Sequence, residues 1–128
     1  MVRRKLIRAA KLLIAAGVLA SAVHFADNAL AIERYPEPGW ITPTGVVAVW
    51  CVITAIAAFA LTRRTAGTQF FAAAALYALV LLSGLLHYAF GAPMHMALRS
   101  NVTVLAEAFV GVVLAWVLLH ARRGGHVA

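Results

Sequence analysis

Acidic residues are scarce in this 128-residue chain: Asp27, Glu33, Glu37 and Glu107 are all it has. Charged residues of both signs reach only 12%, against about a quarter in an ordinary soluble domain. That shortage excludes a disordered tail, which stays unfolded through high charge and low apolar content. Cysteine is scarcer still. Cys51 stands alone inside an apolar run, so no intramolecular disulfide forms and the residue reads as a small packing side chain. Proline is confined to Pro36, Pro38, Pro43 and Pro93, which leaves long stretches without a helix breaker.

What fills the chain is apolar. Hydrophobic residues make up 64% and the mean hydropathy is +0.92. A chain this short has a large surface for its volume and cannot hide so much apolar side chain from water. The composition therefore excludes an ordinary soluble domain and points to a polytopic membrane protein. The net charge of +7 would suit a nucleic-acid partner if the cations lined one soluble face. They flank apolar runs instead, which is how membrane topology is written, so no nucleic-acid partner is expected.

Four apolar runs are expected to span the bilayer as helices, at about 12–32, 42–61, 69–90 and 102–119. Each covers about 30 Å of hydrocarbon at about 1.5 Å per residue, twice what a membrane strand needs. The short connections place consecutive helices side by side, giving a single all-α domain, an up-down four-helix transmembrane bundle. With the N-terminus inside, Arg3, Arg4, Lys5, Arg8, Lys11, Arg63, Arg64, Arg122 and Arg123 are cytoplasmic, and only Arg34 and Arg99 lie outside. The bias puts both termini in the cytoplasm. The first run has the basic start and apolar core of a signal peptide, but it carries Asp27 and Asn28 and reads as an uncleaved anchor. Thr42 and Pro43 suit the cap and first turn of the second helix.

The polar residues inside these runs carry the functional reading, because ionisable groups in hydrocarbon are costly and face a cavity or a partner. His24, Asp27, Asn28, His87, His95, Asn101 and Glu107 all fall in the outer half or just beyond it. His24, Asp27 and Asn28 share one helix face at i, i+3 and i+4, so Asp27 is expected to orient His24 as a carboxylate orients a general base. The plainer alternative has Asp27 and Asn28 organising the outer loop. Glu107 is the acid deepest in a span, and it must face the bundle whether it does chemistry or only joins helices. Glu107, His24, His87 and Asp27 are the candidate acid–base groups. Asn28, Tyr88 and Asn101 are the candidate substrate contacts, with Tyr88 as an interface anchor being the plainer reading. His24, His87 and His95 offer nitrogen ligands for a metal ion, although no paired-His or HExxH spacing supports one.

The stretches 23–28 (VHFADN) and 35–40 (YPEPGW) resemble a motif pair of small bacterial four-span integral membrane proteins. That resemblance implies a four-span topology over nearly the whole chain and a place in the bacterial cytoplasmic membrane, and it brings no assigned chemistry. In size the chain is similar to small multidrug-resistance transporters, but those carry their membrane glutamate in the first helix, and here it is in the fourth. Three functions follow as expectations. The first is a membrane-embedded protein that binds or converts an apolar small molecule by acid–base chemistry, in one pocket touching the first, third and fourth spans. The others are an oligomeric proton-coupled transporter working through Glu107, and an accessory subunit whose polar residues only join helices.

Overall fold

The computed structural model describes residues 2–36, 38–91 and 93–123. Glu37, within the stretch 35–40 quoted above, lies outside them. The chain is 87% helix, with no strand among the described residues. Among the described residues, four helical segments are long and apolar enough to cross a membrane. They are α1 (Val2–Leu30), α2 (Pro43–Thr62), a third made of α3 (Thr68–Ser83) continued through a 3₁₀ turn (Gly84–Leu86) into α4 (His87–Phe90), and α5 (Leu98–Arg123).

The helices overrun the apolar runs. α1 begins ten residues before position 12, because the intervening Arg, Lys, Leu and Ala residues are good helix formers. Lys11 Nζ donates to the carbonyls of Leu61, at 3.3 Å, and Arg63, at 2.8 Å, tying α1 to the end of α2. At the start of α2 the Thr42 hydroxyl accepts from the Gly45 N–H at 3.1 Å with Pro43 in the first turn, the cap the sequence leads one to expect. The third segment departs from the uniform helix expected over 69–90. Ser83 donates back to the Val80 carbonyl at 2.6 Å, and the next turn tightens to 3₁₀ geometry at Gly84. Such back-bonding bends helices.

α1 packs on α2 and α5, and the α3 segment packs on the same two, with a smaller contact between α1 and α3 across the ring. Small buried residues set the close approaches: Ala57 and Ala60 on α2, Ala74 and Ala78 on α3, Ala108 and Ala121 on α5. Gly111 is one such point, where an added Cβ would lie 3.0 Å from both the Ala78 carbonyl oxygen and Leu81 Cβ. The apolar core, including Ile14, Phe70, Tyr77, Leu81 and Leu114, fills the part of the ring nearer the termini. Only 22–39% of the residues in each segment's most apolar window are buried, and many large apolar side chains are exposed, Leu19, Leu79 and Phe109 among them. Helices apolar all round suit a hydrocarbon solvent.

The other end of the ring is polar. The loop after α1 and the loop before α5 close over it, with Tyr35, Met96 and Val104 forming a small second core that Tyr88 packs against. The loops are in close contact, since a Cβ on Gly91 would fall 2.6 Å from Pro36 Cβ.

Candidate functional site: a buried histidine–glutamate chain

Side chains from three helices meet below those loops. His24 on α1 is 2% exposed and Glu107 on α5 is 1% exposed. Neither can be solvated by water, so each must find its partner within the protein. His24 Nδ1 contacts Glu107 Oε2 directly. On the opposite side of its ring, His24 Nε2 lies 3.3 Å from Nε2 of His87, at the start of α4. With the carboxylate accepting from Nδ1–H, His24 Nε2 carries the lone pair and His87 Nε2–H points at it. The three residues thus form one polar chain, Glu107–His24–His87. Glu107 Oε1 has no hydrogen-bond partner among the described residues.

The helices explain why the chain forms. Gly84 passes directly over the pair: a Cβ there would sit 3.1 Å from His24 Cε1 and 3.4 Å from Glu107 Oε2. The 3₁₀ turn that begins at Gly84 ends where His87 starts α4, which delivers the second imidazole to the first. Tyr35 packs on both rings, near-parallel to His24 at a centroid distance of 6.0 Å and edge-on to His87 at 5.0 Å. Beneath the chain, Trp50 Nε1–H donates to Ser21 Oγ at 3.3 Å, and Ser21 in turn donates to the Val18 carbonyl at 3.1 Å.

Asp27 corrects the sequence reading. It does not orient His24; Glu107 takes that place. Asp27 Oδ2 accepts from Tyr35 Oη and from Ser100 Oγ, each at 2.8 Å, while Arg99 Nη2 lies 2.5 Å from Oδ1. Tyr35 and Ser100, absent from the sequence-derived set, satisfy the carboxylate so fully that it has no need of an imidazole. Asp27 therefore locks the loop after α1 to the start of α5, which is the plainer alternative stated for it. Burial pushes the Tyr35 hydroxyl up to about 12, an effect partly offset by hydrogen bonds with Ser100 and Thr103 and reinforced by the Asp27 charge. An unfolded tyrosine ionises near 10. Stability from this hydroxyl is therefore complete below about pH 10 and is lost as pH rises to about 12, by roughly 2–3 kcal/mol. Unfolding midpoints of the wild type and Tyr35→Phe in detergent should converge over that interval, because only the wild type carries this slope.

A cleft of about 590 Å³ opens beside the histidine pair. His24, Asn28 and His87 form its polar end, and Val46, Val49 and Phe90 are among its apolar walls. It lies between α1, α2 and the α3–α4 segment. The expected pocket touching the first, third and fourth spans is thus displaced: α2 supplies a wall, and Glu107 on α5 stands behind His24 instead of lining the space. Of the three expected substrate contacts, Asn28 lines the cleft. Tyr88 does not; it packs against the small core of Tyr35, Met96 and Val104. Nor does Asn101, whose Nδ2 donates to the carbonyls of Pro93, at 2.8 Å, and Met96, at 3.3 Å, and so shapes the loop before α5. His95 is exposed in that loop, and no group of three His, Cys, Asp or Glu side chains is placed to hold a metal ion among the described residues. His24, His87 and His95 therefore do not assemble as a three-nitrogen site.

Compared with family models, with curated proteins and with solved structures, the chain finds no significant match. The functional reading therefore rests on its own geometry.

Proposed function

We propose that this chain is a multi-pass protein of a bacterial cytoplasmic membrane, an up-down bundle with both termini in the cytoplasm. The distribution of arginine and lysine supports that sidedness. So does the meeting of cationic ends: Arg3 Nη2 donates to the Ala66 carbonyl at 3.2 Å and Lys11 reaches the Arg63 carbonyl, which gathers the start of α1 and the inner loop at one end.

Within that bundle, the cleft binds an apolar small molecule whose polar group meets the histidine pair, and the pair exchanges a proton with it. The observation that carries this reading is the chain Glu107–His24–His87 ending on a mostly apolar cleft. Ligand sites have this make-up: apolar walls and a few convergent polar groups. A proton taken up by the His87 ring passes through the Nε2–Nε2 contact to His24, and the Glu107 carboxylate balances the charge there. A carboxylate behind an imidazole also fixes its tautomer. A transporter would need a polar path onward to the inner side, and the core of Ile14, Phe70, Leu81 and Leu114 lies there instead.

Filling the cleft tests the reading. Val46 is 5% exposed and lines the cleft, so Val46→Trp puts a bulky ring into the space while leaving every residue of the polar chain unsubstituted. Mass spectrometry of small molecules extracted from purified protein should show an apolar species retained by the wild type and reduced at least tenfold in the variant. Identical extracts from two folded proteins would overturn the proposal.

A further inference from the structure

The histidine pair, read above as a hydrogen bond, also has the spacing of two ligands on one ion. The two Nε2 atoms are 3.3 Å apart, longer than the 2.9–3.0 Å usual for a good N–H donor contact. Two imidazole nitrogens on one tetrahedral ion, each about 2.0–2.1 Å from it, are separated by about 3.3–3.4 Å. Linear two-coordination would need about 4 Å, twice the same bond length. The observed separation matches the tetrahedral case. The carboxylate is also where such a site needs it. A metal-bound histidine donates its other ring N–H to a carboxylate, which fixes the ring and strengthens the ligand, and His24 Nδ1 meets Glu107 Oε2. Both histidines border the cleft, so further coordination positions face open space.

We propose that His24 and His87 bind a borderline divalent cation of the Zn²⁺ class through their Nε2 atoms, with Glu107 as the carboxylate behind His24 and the remaining positions turned to the cleft. His95 has no part in it. The site rests on the acid–base reading of the same histidines; with an ion bound, the Nε2–Nε2 proton contact would be replaced, and the ion would supply an acidified water at the histidine end of the cleft.

Co²⁺ reports on such a site by its visible absorption, and Cu²⁺ by nitrogen couplings in its electron paramagnetic resonance spectrum. Chelator-stripped protein in detergent should take up one Co²⁺ per chain with tetrahedral-type absorption, and Cu²⁺ should show two nitrogen ligands. His87→Ala, at the half-buried end of the chain, should weaken Co²⁺ binding at least a hundredfold. Glu107→Gln should weaken it about 10–100-fold, the usual loss when such a supporting carboxylate is removed. His95→Ala should bind as the wild type does. His24→Gln, which retains a polar side chain of similar length, gives a second test should the alanine variant at 87 fail to fold. Absence of stoichiometric uptake, or uptake indifferent to both His24 and His87, overturns the proposal. The titration contains no organic ligand, so its failure is distinguishable from failure of the extraction experiment with Val46→Trp.

Discussion

Glu107→Ala is expected to lower the unfolding free energy in detergent by about 2–4 kcal/mol, from a stranded buried donor and the cavity left behind. Glu107→Gln should cost about 1 kcal/mol, the difference between a charge-assisted and a neutral hydrogen bond. The gap between the two variants is the informative quantity. Alanine leaves His24 Nδ1 without its carboxylate acceptor in a position 2% exposed to solvent. Glutamine keeps the volume and can turn its carbonyl oxygen to the same nitrogen. Reversible unfolding titrated with a denaturing detergent gives both numbers. A double-mutant cycle with His24→Ala then isolates the pair, and a coupling above about 0.5 kcal/mol is expected for groups in one network. Equal losses for alanine and glutamine, with no coupling to His24, would mean that Glu107 only fills space, and the proton chain would fall with it.

The fold was legible because the signals that write it are long. Four apolar runs are each spread over many residues, and a long helical segment covers each of them. Their ends did not follow, since basic residues that cannot sit in hydrocarbon are still good helix formers, as residues 2–11 show. For the site, the sequence offers residue types but not partners. His24, His87 and Glu107 stand out as costly residues in apolar runs, and all three meet. Asp27 shares a helix face with His24, which made that pairing the natural expectation. Spacing along one helix says which side chains are neighbours, not which will find a better partner elsewhere. Tyr35 and Ser100 lie 8 and 73 residues from Asp27, and no local pattern announces them. Tyr35 in particular reads as an interfacial aromatic before a proline, yet it is 5% exposed and bridges the carboxylate to both imidazoles.

Gly84 is where an added side chain would press on the polar chain itself. Gly84→Leu should destabilise the protein by about 3 kcal/mol or more, while Gly84→Ala should stay within about 1 kcal/mol of the wild type. An alanine Cβ would lie 3.1 Å from His24 Cε1 and 3.4 Å from Glu107 Oε2, so the imidazole must give by a few tenths of an ångström. Against that stands the entropy an alanine removes from the unfolded chain, worth about 0.4–1 kcal/mol where the backbone is compatible, and the φ of −55° and ψ of −28° at Gly84 are right-handed helical. The two terms nearly cancel for alanine. Leucine has no such balance: three more carbons must enter a space already held by the His24–Glu107 contact. One of the two must then leave it, and each is at most 2% exposed, so no alternative partner waits in solvent. The alanine variant separates packing from chemistry, because it can fold at nearly full stability with His24 displaced. Histidine ¹⁵N resonances should move at His24 and His87 in Gly84→Ala and stay fixed at His120, whose Nδ1 lies 2.8 Å from the Trp116 carbonyl oxygen on the far part of α5. Unchanged resonances at all three positions, together with a stable leucine variant, would show that Gly84 does not press on the pair.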